Sequence, residues 1–252
     1  MNDNSDKIII RECTTLEELA ACVQLQRDVF KLPEIEISPV RHLIVTRNAG
    51  GFTLGAFDAE ELIGFVLSVP AYLRGERAFY SHMTAVRRDF QGHGVGAGLK
   101  WAQRERSLAE GVKYIKWTFE PVKARNAYFN LEKLGAIVRD YASNFYGTDY
   151  STAEESGERI GLASDRLFAE WNLEGEKVTA LVAGNDFVEC RPIVREITIP
   201  PDWYGLVNAD PKGAVTEQVR IKYEFEDAFS NGLIAGGFER DGTAPKYLLY
   251  EE

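Results

Sequence analysis

The chain has 252 residues, of which 45% are hydrophobic and 27% charged, the balance of an ordinary globular protein, and its length suits one large domain or a standard domain followed by a smaller one. A formal net charge of -10 excludes an extended nucleic-acid surface, which needs clustered Lys and Arg. The longest apolar runs, such as Leu62 to Pro70, fall short of the ~20 residues of a membrane span.

Ile8 to Arg11 reads as a short strand, and Thr15-Leu16-Glu17-Glu18 is a capping box that opens a helix carrying Leu16, Leu19, Val23 and Phe30. Around Pro33 and Pro39 the pattern breaks, so residues 33–48 read as a loop with at most one helical turn, placed to border a substrate site. Phe52 to Phe57 and Leu62 to Val69 form a β-hairpin around Asp58-Ala59-Glu60, and a third strand runs from Ala78 to Val86. A glycine-dense stretch, Gln91 to Gly98, precedes a helix over Leu99 to Glu110 that Gly111 stops as a C′ glycine. Then come a strand over Val112 to Phe119, a helix over Ala124 to Leu134 stopped by Gly135, and a strand region over Ala136 to Phe145. The pattern to this point is mixed α/β.

Polar residues fill Thr148 to Gly157, which marks a boundary: residues 1–150 form one domain and 151–252 a smaller α+β extension. Within the extension, Leu167 to Trp171, Lys177 to Val182 and Val194 to Ile199 read as strands, Gly213 to Phe229 as a long helix and Tyr247 to Tyr250 as a closing strand. The helix, glycine, strand succession from Gly213 to Tyr250 repeats that of Ala124 to Phe145 without a second glycine-rich loop, as a degenerate half-domain would.

Cys13, Cys22 and Cys190 are odd in number and widely spaced, giving neither a disulfide framework nor a CxxC site. His42, His82 and His93 lack the i, i+4 spacing of zinc enzymes, so no metal is expected. Met1 to Lys7 has neither the basic nor the apolar region of a secretory signal, and the expectation is a cytoplasmic protein.

The informative segment runs from Val86 through Gln91-Gly92-His93-Gly94-Val95-Gly96 to Leu99. A glycine-rich loop at a helix start brings backbone N–H groups close to a phosphate while the helix dipole favours the anion, so this loop is built for a pyrophosphate. Gly92-x-Gly94-x-x-Ala97 also satisfies the bare dinucleotide pattern. That turn follows its strand directly, however, whereas Arg87-Arg88-Asp89 intervenes here and a hairpin precedes the strand.

Gln91, Gly94 and Gly96 instead stand at the spacing of motif A of the GNAT (Gcn5-related N-acetyltransferase) superfamily, Gln/Arg-x-x-Gly-x-Gly/Ala, with a strand ending five residues before Gln91. Asn126 to Ala136, with Leu134-Gly135 at its end, resembles motif B in family order. The resemblance covers about Ile8 to Tyr146 and implies a mostly antiparallel central sheet flanked by helices. It also implies acetyl-CoA or another acyl-CoA as co-substrate and direct transfer of the acyl group to an amine. The backbone of Gln91, Gly92, His93, Gly94, Val95 and Gly96 would hold the pyrophosphate; the strand Met83 to Val86, including Thr84, Ala85 and Val86, would pair with the pantetheine arm, and Asn126 would contact it.

The N–H of Val86 is the oxyanion donor this resemblance suggests. Where many members carry a thiolate-protonating tyrosine, four residues before the motif B glycine, this chain has Leu131; Tyr128 is the substitute acid or a packing residue. Glu120 is a candidate base, and Glu34 and Glu36 are candidate contacts for a cationic substrate, each equally an ordinary surface carboxylate. His82 faces either core or cleft, and the His93 side chain is expected to point to solvent. Trp171 and Trp203 line either a pocket or the core. The expected function is an N-acyltransferase acting on a small-molecule amine or amino acid; the alternative is a non-catalytic acyl-CoA-binding module. An edge strand from either part allows pairing into a homodimer.

Overall fold

A computed structural model describes residues 8–150 and 160–252; most of the polar stretch read as a linker, and Met1 to Lys7, lie outside the described residues. Packing divides the chain into two compact units, Met1–Lys116 and Trp117–Glu252.

In the first unit the strands β1 (Ile9–Glu12), β2 (Phe52–Asp58), β3 (Glu61–Leu73), β4 (Glu76–Val86) and the start of β5 (Tyr114–Phe119) follow one another in the sheet. The first four pair antiparallel, and β4 pairs β5 in parallel. Helix α1 (Leu16–Phe30) opens as its sequence dictates: Thr15 accepts from the Glu18 N–H while the Glu18 carboxylate accepts from the Thr15 N–H. Its inner face meets Phe65, Leu67 and Ala85 of the sheet through Leu19, Cys22 and Leu25.

Residues 33–48 depart from the expected loop. A 3-10 turn at Glu34–Glu36 is followed by a full helix, α2 (Val40–Asn48), which buries Leu43 and Thr46. Val40 and Ile44 pack beside Leu43 against the core, but Pro33 and Pro39 directly before and the polar Arg41, His42 and Arg47 within hide the helical period; its end is fixed by the Gly51 N–H donating to the Thr46 carbonyl at 2.8 Å. On the opposite face of the sheet lies α3 (Val95–Leu108), whose Leu99 would meet a side chain placed at Gly64. Gly111 closes it as expected: its N–H donates to Leu108 and that of Val112 to Ser107, the two bonds of a Schellman motif.

In the second unit the strands run in the order β7 (Arg166–Asn172), β6 (Ile137–Ala142), β9 (Leu233–Glu239), β10 (Lys246–Glu251), β8 (Arg195–Thr198), and the pairs β6–β7, β6–β9, β9–β10 and β8–β10 are antiparallel. Helix α4 (Ala124–Tyr128) continues into a π-turn over Phe129–Lys133 before Gly135. Lys177 to Val182, expected as a strand, is helix α5 (Glu176–Val182), because Gly175 and Gly184 bound a segment about two turns long whose Val178 alone is buried. A short α6 (Trp203–Ala209), capped by Asp202, precedes α7 (Pro211–Ser230), which Asp210 caps with Pro211 in the first turn. The α7 face carrying Ala214, Ile221, Phe225 and Ala228 closes a core in which Phe225, Phe238 and Tyr247 meet edge to face.

Because the Thr15 box satisfies two donors at the start of α1, Thr15→Ala is expected to lower the unfolding free energy by about 1 kcal/mol in urea titration, with the slope unchanged.

Candidate acyl-CoA site

The geometry of the first unit's site starts with a defect in β4. Its register with β3 shifts between Leu67 and Ser68, leaving His82 as the extra residue of a β-bulge. Ser81 and Met83, two apart, therefore face opposite sides of the sheet: Ser81 is buried against α3 and Met83 packs on the α1 core. Parallel pairing with β5 covers only Ala78, Phe79 and Tyr80. Beyond it, among the described residues, one edge of β4 has no strand partner. The Arg87 N–H donates to Ile63 of β3 at 2.8 Å, and by the alternation of a strand the N–H groups of Thr84 and Val86 point to the open edge while that of Ala85 points to β3.

After β4 the chain makes a 3-10 turn at Arg88–Phe90, held by Arg87, which pairs with Asp89 and Glu61 and lies over the Phe90 ring. Gln91 reaches back to donate to the Val86 carbonyl at 2.8 Å, fixing the loop to the strand end. Gly92 and Gly94 have φ of 84° and 83°, a conformation other residues adopt only with strain. Space around both is open where a side chain would stand. Helix α3 starts at Val95, inside the glycine run, with no side-chain cap; among the described residues the N–H groups of Gly92 to Ala97 have no acceptor within the chain, and the first to bond is Gly98, to Gly94. Backbone donors left without partners at a helix start are a fit for a pyrophosphate.

Beneath the bulge lies a buried polar chain. Lys100 donates to Ser81 Oγ at 3.1 Å and to Gln103 Oε1 at 2.7 Å, and Gln103 Nε2 donates to Ser68 Oγ at 2.7 Å. All four are buried, and burial holds the Lys100 ammonium far below the ordinary lysine range.

In the second unit, Asn126 is exposed on α4. Leu131 is fully buried, so the position that resembles the family tyrosine belongs to the core. Tyr128 is half-buried, with the cations of Lys133 and Arg240 over its ring. Glu120 is engaged by Lys123 at 2.6 Å and Arg166 at 3.6 Å. The C-terminal strands grip motif B: Tyr247 donates to the Pro121 carbonyl at 2.7 Å, and Glu132 accepts from the Phe238 N–H at 2.8 Å and from Lys177 at 3.3 Å. Trp171 is core and donates to the Leu134 carbonyl, whereas Trp203 is half-buried. A cleft of about 280 Å³ is lined by Ala124, Pro201, Arg240, Asp241, Gly242 and Pro245.

Of the other candidates, Glu34 is held by Arg27, whose two hydrogen bonds lower its pKa, and Glu36 is exposed. The His93 residue is exposed. The site feature that sequence reasoning missed is the bulge at His82, which no local pattern announces.

Strand order, bulge, open strand edge and glycine loop define an acyl-CoA N-acyltransferase fold. Residues 16–136 match the model of the Acetyltransferase (GNAT) family, so the chain carries a GNAT acetyltransferase domain. Solved structures with the same fold include the ribosomal-protein-S18-alanine N-acetyltransferase of Escherichia coli, at 15% identity, a TM-score of 0.50 and coverage of 67% of this chain and 97% of that one. Aminoglycoside 6'-acetyltransferase type Ii aligns with 18% identity, a TM-score of 0.52 and coverage of 67% and 99%. A chain of the NatC complex bound to Gag peptide and CoA aligns with 17% identity, a TM-score of 0.51 and coverage of 66% and 98%. About a third of the chain extends beyond these neighbours. No curated protein matches the chain. Among the described residues no helix is long and apolar enough to cross a membrane, and no group of three or more His, Cys, Asp or Glu is placed to hold a metal.

Because the pKa of Lys100 is lowered on folding, the unfolded chain binds its proton more tightly, and this group makes stability rise with pH up to the ordinary value of 10.5. Lys100→Met should therefore flatten the rise of the urea midpoint between about pH 7 and 9, measured beside the wild-type protein.

Proposed function

We propose that the protein is an N-acyltransferase that moves an acetyl or other acyl group from acyl-CoA to the amine of a small molecule or amino acid. The observation that carries this reading is the set of N–H donors from Gly92 to Ala97 that, among the described residues, have no backbone acceptor, one short turn after a strand edge without a strand partner among those residues. The backbone of Gln91, Gly92, His93, Gly94, Val95 and Gly96 holds the pyrophosphate, where the helix dipole and the N–H groups from Gly92 onward replace its hydration. Thr84, Ala85 and Val86 form the edge along which the pantetheine arm lies, extended like an added strand. Of the two outward N–H groups, Thr84 and Val86, one serves the arm and the other the thioester oxygen. Asn126 contacts the pantetheine.

Catalysis in this reading is mostly positioning. The amine is held beside the thioester, attack is direct, and the backbone N–H stabilises the charge that develops on oxygen. Tyr128 is the proposed acid for the departing thiolate, and the cations of Lys133 and Arg240 lie over its ring. Glu120, which pairs with Lys123 and Arg166, is a candidate proton acceptor. Residues 1–150 are proposed as the acyl-CoA-binding domain and 151–252 as an extension with half-domain character, working in the cytoplasm on small amines, with dimers through an edge strand.

Calorimetric titration with acetyl-CoA, free CoA and NADH tests the reading: micromolar binding of the CoA compounds alone is expected, and binding of NADH alone or of nothing would refute it. Gly94→Asp, which keeps a residue tolerant of positive φ but sets a carboxylate in the phosphate position, should weaken acetyl-CoA roughly 100-fold or more while the protein stays folded by circular dichroism. Tyr128→Phe should lower turnover by about 100-fold with unchanged acetyl-CoA affinity; a loss of stability with normal turnover would make Tyr128 a packing residue.

A further inference from the structure

His82 is where four segments of the first unit converge. As the bulged residue of β4 it turns away from Ser81 and the buried Lys100 chain, toward the side of the sheet that carries α1 and α2. There its Nε2 lies 3.4 Å from Ser38 Oγ, and its ring meets that of His42 from α2 edge to face at 5.8 Å. Ser38 is itself fixed by α1: Gln26 donates to the Ser38 carbonyl at 3.1 Å and accepts from the Ser38 N–H at 3.0 Å, with Gln26 buried. A histidine kept for packing would be enclosed. His82 instead remains exposed, while the surrounding protein crowds its ring enough to hold the imidazole below its ordinary pKa, with His42 adding to the effect.

We infer that His82 is the base that takes the proton of the acceptor amine, with the thioester carbonyl seated at the Thr84 end of the open β4 edge. The inference rests on the acyl-transfer reading above. Thr84 is two residues from His82, about 7 Å along an extended strand, and Val86 four residues, about 13 Å. Only the nearer N–H puts a bound carbonyl within reach of an imidazole and one intervening amine, so Thr84 takes the oxyanion and Val86 is left to the pantetheine arm. Bulges commonly re-aim one side chain beside an active site, and this one aims the only titratable side chain of Ser81–Val86.

The neutral imidazole accepts the proton as the amine nitrogen bonds to the thioester carbon. The carbonyl oxygen becomes an oxyanion on the Thr84 N–H. When the carbonyl re-forms, the C–S bond breaks with its electron pair on sulfur, the thiolate takes the proton of Tyr128, the acid proposed above, which solvent restores, and the imidazolium returns its own proton to solvent. The titratable group that acts on His82 is His42; Ser38 and Gln26 are uncharged, β3 brings Leu67 and Ser68 to the bulge, and the Arg27–Glu34 pair of the same side is exposed.

The test measures thiol release from acetyl-CoA with benzylamine as probe amine, in the wild-type protein, His82→Ala and His82→Gln, with acetyl-CoA affinity measured by calorimetry in each. Expected are a loss in turnover of about 100-fold or more in both variants, unchanged acetyl-CoA affinity, disappearance of the acidic limb of the pH profile, and partial rescue of His82→Ala by added imidazole in proportion to its neutral form. Unchanged turnover in both variants, or losses that follow acetyl-CoA affinity without imidazole rescue, would overturn it. A wild-type protein that binds acetyl-CoA yet releases no thiol would remove the reaction itself and this inference with it.

Discussion

Much of the first unit depends on one irregularity, the extra residue in β4. A regular strand would put Ser81, Met83 and Ala85 on one face. With His82 inserted, Ser81 and Lys100 form a polar seam under α3, while Met83 and Ala85 belong to the apolar layer under α1. The same irregularity lies where β4 loses its parallel neighbour after Tyr80. A sheet whose backbone groups were all paired would have no edge to offer a ligand; here the bulge and the departure of β5 leave N–H groups at Thr84 and Val86 facing outward, directly before a loop whose own donors are unspent.

In the second unit the C-terminal strands grip the motif B segment. Tyr247 holds the carbonyl just before α4, and Phe238 and Lys177 hold Glu132 in the π-turn after it. Both ends of that helix are thus tied to elements that lie beyond the reach of a minimal domain. A ten-residue helical stretch with a π-turn in its second half is weak in isolation, and the extension supplies the contacts that fix it. The helix and strand on either side of Gly232 mirror those around Gly135, each glycine with a positive φ, and their strands β6 and β9 pair antiparallel.

How much of this was legible in the sequence follows from the range of the forces involved. The capping box at Thr15, the hairpin around Ala59, the Schellman glycine at 111 and the motif A loop are local, decided by a few neighbouring residues, and each stands where its residues put it. Helix α2 hides behind the prolines at 33 and 39 and the polar Arg41, His42 and Arg47, although Val40, Leu43 and Ile44 all meet the core; α5 reads as a strand because Val178, Thr179 and Val182 favour extended structure, while the flanking glycines and the burial of Val178 decide otherwise. Leu131 and Tyr128 could be ranked by spacing, yet the π-turn between them shifts the helical register, and a wide turn leaves no mark in periodicity. The bulge at His82 arises from pairing with a strand some fifteen residues earlier, which is information no window around His82 contains.

The first turn of α3 has a further consequence. With no side chain to cap it and a glycine at its start, that turn is held by little beyond its first bond, Gly98 to Gly94. Helix starts of this kind open readily to water, and their amides exchange with solvent far faster than those of the helix interior. An anion seated on the loop completes the missing bonds, so the same event that binds the ligand also finishes the fold there, and amides from Gly92 to Ala97 become a local gauge of occupancy. Part of the binding free energy of such an anion is thereby spent on ordering backbone, which lowers its affinity.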